Sequence, residues 1–426
     1  MRKVILIPDS FKGTMSSAEI CRVMADVIGL HHPGAEVVAL PVADGGEGSV
    51  DAYLTAVGGQ KISLDVTGPF LGEPVRAFYG RLDDRTAVIE MAAAAGLPLV
   101  EERKDPELTT TYGVGELMLA AARAGARHLI VGAGGSATND LGAGAAAAAG
   151  VGFFDTDGHR FVPTGGTLDR IARIDTSTLA PELRDCTITV MCDIDNPLYG
   201  ERGAAHVFAP QKGASPEQVA LLDEQLRAGS AAIVRDLGTD VSQVPGAGAA
   251  GGLGGGLMAF FGAVLRQGID VVLDAVGFDQ AVADTDLVFT GEGKIDSQSL
   301  SGKVVVGVAR RARPHGVPVV AVVGDIGDDF EGAYDEGVSA VFSINNLAIP
   351  YTEARRRARQ GPPPTLDSIP RLPRSPPGGR GPTAAPAPPS RTPAPSAPEA
   401  DPAAAVDAEG APPACRAAGD CGRLSP

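Results

Sequence analysis

The chain has 426 residues, of which 44% are hydrophobic, so it is long and apolar enough for two globular domains. Its 36 lysines and arginines are outnumbered by 52 aspartates and glutamates, and the formal charge of −16 argues against a broad surface for nucleic acid or anionic membrane. The five cysteines are scattered, without the paired spacing of a zinc site or a disulfide framework, which favours a cytoplasmic protein.

Short apolar runs, glycine-containing turns and alanine-rich stretches alternate through the first 350 residues, a pattern typical of α/β proteins. Residues 4–8 predict a buried strand, Ser16 or Ser17 predicts the cap of a helix that runs to Ile28, and residues 36–40 predict a second strand. Further strands, apolar on both faces as in parallel sheets, are predicted at 128–131, 286–289, 318–323 and 340–344. We interpret these strands as one Rossmann-like sheet.

Two regions, 62–89 and 151–191, alternate polar and apolar residues and predict a mixed domain inserted into the first. The predicted fold is therefore α/β with two domains, a Rossmann-like parallel-sheet domain and a smaller inserted mixed α/β domain. The active site is expected in the cleft between them. The predicted boundaries are 1–60, 127–150 and 285–350 for the Rossmann-like domain, 61–126 and 151–284 for the inserted domain, and 361–426 for a tail.

Two segments have unusual composition. Residues 241–265 carry no charge, but their many glycines make them weakly hydrophobic, so we predict a buried loop and helix and no membrane span. Residues 361–426 are rich in proline and alanine and poor in β-branched and aromatic residues. Such a segment cannot bury enough apolar area to order itself, which predicts a disordered tail.

Two loops near the N-terminus follow predicted strands and precede helices. In the first, residues 8–14, Lys12 could neutralise a carboxylate or phosphate, although a solvated loop lysine would look the same. In the second, residues 43–48, Asp44 and Glu47 lie among glycines, which suits a Mg²⁺ site or close approach of the backbone to phosphates. A tight turn with a solvated Glu47 is the alternative.

A third loop, residues 132–140, leaves the predicted strand 128–131 and formally matches the G-x-G-x-x-[GA] dinucleotide fingerprint. Asp155 follows at about the distance of a ribose contact, so an NAD(P)-dependent oxidoreductase is a rival hypothesis. The polar side chains of this loop favour contacts with phosphate or substrate hydroxyls instead. They are Ser136, Thr138, Asn139 and Asp140.

Further chemistry is predicted in the C-terminal half. Asp193 follows a predicted strand at 187–191 and could act as general base or metal ligand, and Lys212 could pair with a phosphate. In residues 290–298, Glu292 and Asp296 are suitable magnesium ligands and Lys294 is a cation for the transferred phosphate. The lysines of this region complete no Walker A motif, because Val288 stands where the first glycine before Lys294 should be and Lys303 is followed by Val304.

Six motifs, taken in order, resemble the bacterial type I glycerate kinase family. They are residues 7–13 (IPDSFKG), 43–48 (ADGGEG), 134–140 (GGSATND), 210–214 (PQKGA), 246–254 (GAGAAGGLG) and 290–296 (TGEGKID). The resemblance implies a cytoplasmic enzyme that phosphorylates D-glycerate with ATP and Mg²⁺, at the 2-hydroxyl in preference to the 3-hydroxyl. From the charge balance we expect no nucleic-acid or membrane partner, and the sequence is compatible with a monomer or a homodimer.

We assign roles to individual residues as hypotheses. Asp193 accepts or orients the hydroxyl proton, and Lys294 and Lys12 assist catalysis by holding anionic groups. The nucleotide is expected to contact Gly45, Gly46, Gly134, Gly135, Ser136, Lys212, Gly291 and Gly293. The expected metal ligands are Asp44, Glu292 and Asp296.

The family resemblance also implies a final helix after Pro350, which residues 352–360 begin before the prolines that follow. Besides the kinase and the oxidoreductase, a non-catalytic protein that binds a sugar acid remains open.

Overall fold

The computed structural model describes residues 1–11, 14–42 and 45–345. The predicted tail at 361–426 and the helix expected at 352–360 lie outside these residues, as do Lys12 and Asp44. In chain order the strands are β1 (Lys3–Pro8), β2 (Glu36–Ala39), β3 (Gln60–Thr67), β4 (Pro74–Arg81), β5 (Thr86–Glu90), β6 (His128–Gly132), β7 (Gly152–Phe154), β8 (Arg160–Phe161), β9 (Arg173–Asp175), β10 (Thr187–Met191), β11 (Val264–Arg266), β12 (Leu287–Gly291), β13 (Lys294–Ile295), β14 (Val319–Val323), β15 (Asp325–Ile326) and β16 (Val338–Ser343).

The helices connect these strands. They are α1 (Ser17–His31), α2 (Ser49–Val57), α3 (Ala92–Ala95), α4 (Tyr112–Arg123), α5 (Ala143–Ala148), α6 (Pro181–Arg184), α7 (Ala204–Phe208), α8 (Pro216–Leu237), α9 (Ala249–Phe261), α10 (Gly268–Ala275), α11 (Phe278–Val282), α12 (Val304–Ala312) and α13 (Gly332–Asp335). Short 3₁₀ helices occupy Leu97–Val100, Leu168–Arg170, Pro210–Lys212, Ser297–Ser301 and Arg313–His315. All described residues belong to one compact unit.

The first sheet has five parallel strands in the order β16-β14-β12-β1-β2. Ile5 and Ile7 of β1 pack into one hydrophobic cluster, while Val4 and Leu6 pack into another on the opposite face. A strand that is buried on both faces explains the uninterrupted apolar run in the sequence. The five strands predicted in these regions are confirmed, with ends shifted by one or two residues.

Helix α1 begins where the sequence predicts. Ser16 caps it by accepting a hydrogen bond from the backbone N–H of Glu19, and the Glu19 carboxylate accepts one from the Ser16 N–H at 2.8 Å. This reciprocal pair satisfies two backbone donors that the first turn of a helix leaves without partners.

The second sheet has six strands in the order β11-β10-β6-β5-β4-β3, of which β5, β6, β10 and β11 run parallel to one another, whereas β4 runs antiparallel to both of its neighbours, β3 and β5. The strand predicted at 128–131 exists as β6, but it pairs with β5 and β10 and belongs to this sheet. Its prediction as part of the first sheet is therefore wrong. The backbone N–H and C=O groups on both edges of β6 pair with β5 and β10, so none remain to pair with a strand of the first sheet.

The two sheets share a hydrophobic cluster. It contains Ile5 and Ile7 from the first sheet and Val88, Ile130 and Met191 from the second, all of them buried. Residues of α2 and α10 belong to the same cluster, among them Val50, Tyr53, Ile269 and Val272. Packing of both sheets against common side chains fixes the loops at their carboxyl ends relative to each other.

The uncharged segment 241–265 forms a loop followed by α9, as the sequence predicts, and ends in the start of β11. Most of the loop is buried, but Gln243 and Pro245 are exposed. Among the described residues, no helix combines the length and the apolar character that a membrane crossing needs.

Candidate active site

The loop after β2 and the loop after β6 touch through glycines. The Gly134 N–H donates to the Gly45 carbonyl at 3.0 Å. A Cβ on Gly134 would lie 2.5 Å from the Gly46 Cα, and one on Gly132 would lie 2.4 Å from the Gly45 carbonyl oxygen. Only residues without a side chain permit this approach. The structure therefore brings three predicted nucleotide-binding glycines, Gly45, Gly46 and Gly134, together where the two sheets meet.

We expect Gly134→Ala to separate these two loops. The added methyl group would meet backbone, which cannot move aside as a flexible side chain can, so the free energy of unfolding should fall by about 1–3 kcal/mol. Urea titration followed by circular dichroism measures it. Gly29→Ala on α1 is the matched control, because nothing lies within 4 Å of its added Cβ, and it should be neutral or stabilising. Equal behaviour of the two variants would contradict the close contact.

Glu90 was missed by the sequence analysis. This residue ends β5, is 2% exposed, and accepts hydrogen bonds from the N–H groups of Gly48 at 3.2 Å and Val50 at 2.5 Å. Burial raises the pKa of its carboxyl, although both hydrogen bonds oppose the rise. Glu90 therefore occupies the N-terminus of α2 and anchors the loop of Gly45 and Gly46 to the second sheet. In the sequence, the one feature that could have indicated this role is the single carboxylate at the end of the apolar run of residues 86–90.

The loop after β6 does not have the form of a dinucleotide fingerprint. Helix α5 begins only at Ala143, so residues 133–142 form a long loop between strand and helix. The fingerprint instead opens its helix within the glycine motif, so that the pyrophosphate lies at the helix N-terminus. Asp155 lies in the turn between β7 and β8, where it accepts hydrogen bonds from the backbone N–H groups of Asp157 and His159. Both features weigh against the NAD(P) hypothesis.

Gly135 and Ser136 pack against the segment after β5. The Gly135 carbonyl accepts a hydrogen bond from Leu97 N–H at 2.9 Å, and Ser136 forms a bridge with Gly96. Gly135 has a φ of +74°, which favours glycine, and Ser136 is 7% exposed.

Asp140 is a fully buried carboxylate that ties two loops together. Its Oδ2 accepts hydrogen bonds from the Thr111 N–H at 2.7 Å, the Thr111 hydroxyl at 2.9 Å, the Thr110 hydroxyl at 3.3 Å and the Gly144 N–H at 3.2 Å, and its Oδ1 accepts from the Gly142 N–H at 3.2 Å. Burial raises the pKa of Asp140 against the effect of these bonds. We interpret Asp140 as a structural clamp.

Lys212 lies beside this clamp and is 1% exposed. Its Nζ donates to the Thr138 carbonyl oxygen at 2.6 Å, so the amine holds the 134–140 loop. Burial lowers the pKa of Lys212 to about 7, and the negative charge of Asp140 opposes that shift. A phosphate could reach this amine only if the surrounding segments moved.

The buried amine predicts a pH dependence of stability. Lysine in an unfolded chain has a pKa near 10.4, so between about pH 7 and 10 the folded protein binds fewer protons there than the unfolded chain. The free energy of unfolding should therefore rise with pH across this window, by about 2 kcal/mol from pH 7 to 9 for this residue.

Urea unfolding at pH 7 and 9 tests this effect by comparing wild type with Lys212→Met. The variant should lack the increment, whereas Lys104→Met, which removes an exposed neighbouring lysine, should retain it. An identical pH dependence in wild type and Lys212→Met would show that Lys212 keeps an ordinary pKa.

Two buried carboxylates follow neighbouring strands of the first sheet. Asp9 comes after β1 and is 9% exposed, and Glu292 comes after β12 and is 6% exposed. The Asp9 N–H donates to the Gly291 carbonyl at 2.8 Å, which fixes the two strand ends side by side. Gly291 must be small, because its Cβ would lie 2.1 Å from the Val322 carbonyl oxygen.

The loop that follows β12 is held by the two-stranded sheet of β13 and β15. The Gly293 carbonyl accepts a hydrogen bond from Asp325 N–H at 3.1 Å. Lys294 and Asp296 form an ion pair of 3.3 Å, with the lysine side chain 56% exposed and the aspartate 25% exposed. Glu292, Lys294 and Asp296 thus share one loop at the carboxyl edge of the first sheet.

Asp193 lies at the carboxyl end of β10, in the second sheet. Its side chain is exposed, and its Oδ1 accepts a hydrogen bond from the Gly268 N–H at 2.7 Å. The neighbouring Gln267 touches Gly302, whose Cβ would lie 2.4 Å from the Gln267 Oε1, in the segment that leads from β13 to α12. Asp193 is therefore connected through this contact to the chain that follows the Lys294 loop.

The glycine motif at 246–254 has a packing role. A Cβ on Gly251 would lie 1.9 Å from the Thr138 carbonyl oxygen, and one on Gly256, two residues beyond the motif, would lie 1.9 Å from the Leu141 carbonyl oxygen. These glycines let α9 press against the backbone of the loop after β6.

The chain is similar to known glycerate kinases. Residues 4–371 match the model of the glycerate kinase family. The chain is 47% identical over 360 residues to a glycerate kinase of Bacillus subtilis and 46% identical over 358 residues to a glycerate 2-kinase of Escherichia coli, in each case over 84% of this chain and 94% of the relative.

A crystal structure of a protein assigned as glycerate kinase 2 from Salmonella typhimurium LT2 has a TM-score of 0.77 and 43% identity, covering 87% of this chain and 97% of that one. The family model spans most of the chain and the relatives align along nearly their whole length, so this chain belongs to the glycerate kinase family.

Proposed function

We propose that this chain is an ATP-dependent kinase that transfers the γ-phosphoryl group to the 2-hydroxyl of D-glycerate and yields 2-phosphoglycerate. The observation that carries this proposal is the near-complete alignment with glycerate kinases, one of them named a glycerate 2-kinase. Phosphoryl transfer depends mainly on positioning and charge neutralisation, for which carboxylate-held metal, lysines and glycine loops at two adjoining sheet edges suffice.

The residues at the first sheet edge fit a magnesium ion. Mg²⁺ prefers oxygen ligands from one or two carboxylates, with water and phosphate oxygens completing an octahedron. Buried Glu292 and the nearby Asp296 are the proposed ligands, together with Asp44, and the position of Asp9 beside Gly291 makes it a further candidate. When bound, the ion would neutralise charge on the ATP phosphates.

The remaining roles are proposed from position and chemistry. Asp193 would accept the proton of the substrate hydroxyl, and Lys294 and Lys12 would hold the transferred phosphate. Gly291 and Gly293, with Gly45, Gly46, Gly134, Gly135 and Ser136, would line the nucleotide path. Lys212 would act on the same loop through the Thr138 carbonyl.

We place the site in a cleft between the Rossmann-like part and the mixed part of the chain, and we propose a cytoplasmic enzyme that is a monomer or homodimer. The close contact of Gly45 with Gly134 supports this placement, since it joins loops from both sheets. The formal net charge of −16 is in keeping with a protein that meets small anions through local groups.

A coupled assay of ADP release tests the function. D-glycerate with Mg-ATP should give ADP, and removal of Mg²⁺ with EDTA should abolish it. Fluorescence titration with NADH tests the rival oxidoreductase, which would bind NADH without forming ADP. If the protein neither forms ADP nor binds NADH, the results favour a non-catalytic protein that binds a sugar acid.

A further inference from the structure

Thr138 and Asn139 carry polar atoms that are buried without hydrogen-bond partners. Both residues are 0% exposed, and the Thr138 hydroxyl, the Asn139 amide nitrogen and the Asn139 amide oxygen make no hydrogen bond to the described part of the chain. Buried polar groups are almost always paired in folded proteins, because an unpaired one loses its bonds to water and gains nothing. Three such atoms on consecutive residues suggest a ligand that completes them.

The amine of Lys212 adjoins these atoms. The Lys212 Nζ donates to the Thr138 carbonyl at 2.6 Å, and among the described residues this is its one hydrogen bond. In its protonated form the amine has three donors, so two are available to a further acceptor. Thr138, Asn139 and Lys212, which we call the Thr138 cluster, thus offer several donors, one amide acceptor and, when Lys212 is protonated, a cation.

The backbone around the Thr138 cluster is strained. Leu141, with a φ of 58°, and Ala250, with a φ of 54°, are non-glycine residues in the left-handed region, and both are buried. Their two segments are joined by a hydrogen bond in which Leu141 N–H donates to the carbonyl of Gly251, the residue after Ala250, at 3.1 Å. Gly251 covers Thr138, because its Cβ would lie 1.9 Å from the Thr138 carbonyl oxygen. Backbone strain of this kind concentrates at functional sites.

We propose that the Thr138 cluster recognises the carboxylate and hydroxyl of a small hydroxy acid, which is D-glycerate if the proposed function holds. The Asn139 amide N–H, the Thr138 hydroxyl and the Lys212 amine donate to the carboxylate, and the Asn139 amide oxygen accepts from a substrate hydroxyl. Residues 250–252 cover the cluster and shift to admit the ligand. This inference rests on the proposed function only for the identity of the acid.

Two variants separate recognition from a structural role. Asn139→Asp keeps the volume and replaces the amide donor with a negative charge that repels a carboxylate, so the Kd for D-glycerate should rise at least about 30-fold. Thr138→Val removes a hydroxyl that has no partner, so it should leave the melting temperature unchanged or higher while weakening D-glycerate binding about tenfold. A purely structural role would not separate stability from binding in this way.

Calorimetric titration of D-glycerate without nucleotide gives the Kd, and steady-state kinetics gives KM for D-glycerate and for ATP. The KM for D-glycerate should rise in both variants, while the KM for ATP should stay within about twofold of wild type. Asp223→Asn is the control, because it weakens the partly buried hydrogen bonds that Asp223 accepts from Gly200 and Arg227 and should lower stability without changing D-glycerate binding.

The outcomes are distinguishable. Wild type that binds D-glycerate but releases no ADP, with binding weakened in both variants, would refute the proposed function and support the recognition site. ADP release by wild type, together with D-glycerate binding within about threefold of wild type in Thr138→Val, would refute the recognition site alone. Failure of the wild-type protein to bind D-glycerate in the titration would also refute the recognition site. If Asn139→Asp does not fold, Thr138→Val decides.

Discussion

We expect Asp193→Asn to lower kcat for D-glycerate about 10²–10⁴-fold, the range that general base catalysis contributes. The asparagine oxygen can still accept the hydrogen bond from Gly268 N–H, so the loop should keep its geometry. What the variant loses is a group that can take the proton of the substrate hydroxyl. Coupled measurement of ADP release at saturating D-glycerate and Mg-ATP gives kcat, and the melting temperature reports the fold.

Asp195→Asn is the matched control for this prediction. Asp195 lies two residues further on, is exposed, and pairs with Arg202 at 3.0 Å, so the same chemical change there should leave kcat within about twofold. A kcat for Asp193→Asn within about tenfold of wild type would rule out Asp193 as the general base.

We expect Asp140→Ala to lower the free energy of unfolding by about 3–5 kcal/mol. The substitution leaves the five donors of Thr110, Thr111, Gly142 and Gly144 without their acceptor and removes the negative charge beside buried Lys212. Each of these consequences opposes folding, because the groups stay buried. Urea unfolding followed by circular dichroism measures the loss.

Asp140→Asn should be destabilised less than the alanine variant. Its amide oxygen can still accept from Thr111, but its amide nitrogen would face the Gly142 N–H, donor against donor. Asp65→Ala serves as the surface control, because Asp65 and its partner Arg76 are both largely exposed and the loss should stay within about 0.5 kcal/mol. A loss below about 1 kcal/mol for Asp140→Ala would contradict the clamp.

The parts of the fold that depend on local pattern could be predicted from the sequence. Residues 4–8 and 318–323 are apolar on both faces, a pattern typical of strands in a covered parallel sheet. Ser16 and Glu19 form the reciprocal cap expected of a serine followed by glutamate three residues later. The loops with catalytic residue types were found because they follow such strands, at the sheet edge where ligands bind.

Pairing between strands could not be predicted in the same way. The segment 128–131 is as apolar as the strands of the first sheet, and its partners are chosen by the side chains and loops that surround it after folding. The shared cluster of Ile5, Ile130 and Met191 depends equally on distant parts of the chain. Composition and period carry no information on such contacts.

The burial of charged side chains could not be predicted from the sequence either. Lys212 and Asp140 have the sequence signature of solvated loop residues, and a phosphate contact for Lys212 was a reasonable expectation from its type alone. Their roles depend on the segments that cover them. Glu90 has no motif around it, and its position at the N-terminus of α2 became visible only once β5 and the Gly45 loop were brought together.

The most direct test is ³¹P NMR of the purified protein incubated with D-glycerate and Mg-ATP. We expect ADP and a single new phosphomonoester, identified as 2-phosphoglycerate by addition of the authentic compound, in equal amounts. A resonance of 3-phosphoglycerate would overturn the assignment of the 2-hydroxyl. ATP that remains intact in the presence of D-glycerate would contradict the kinase function itself.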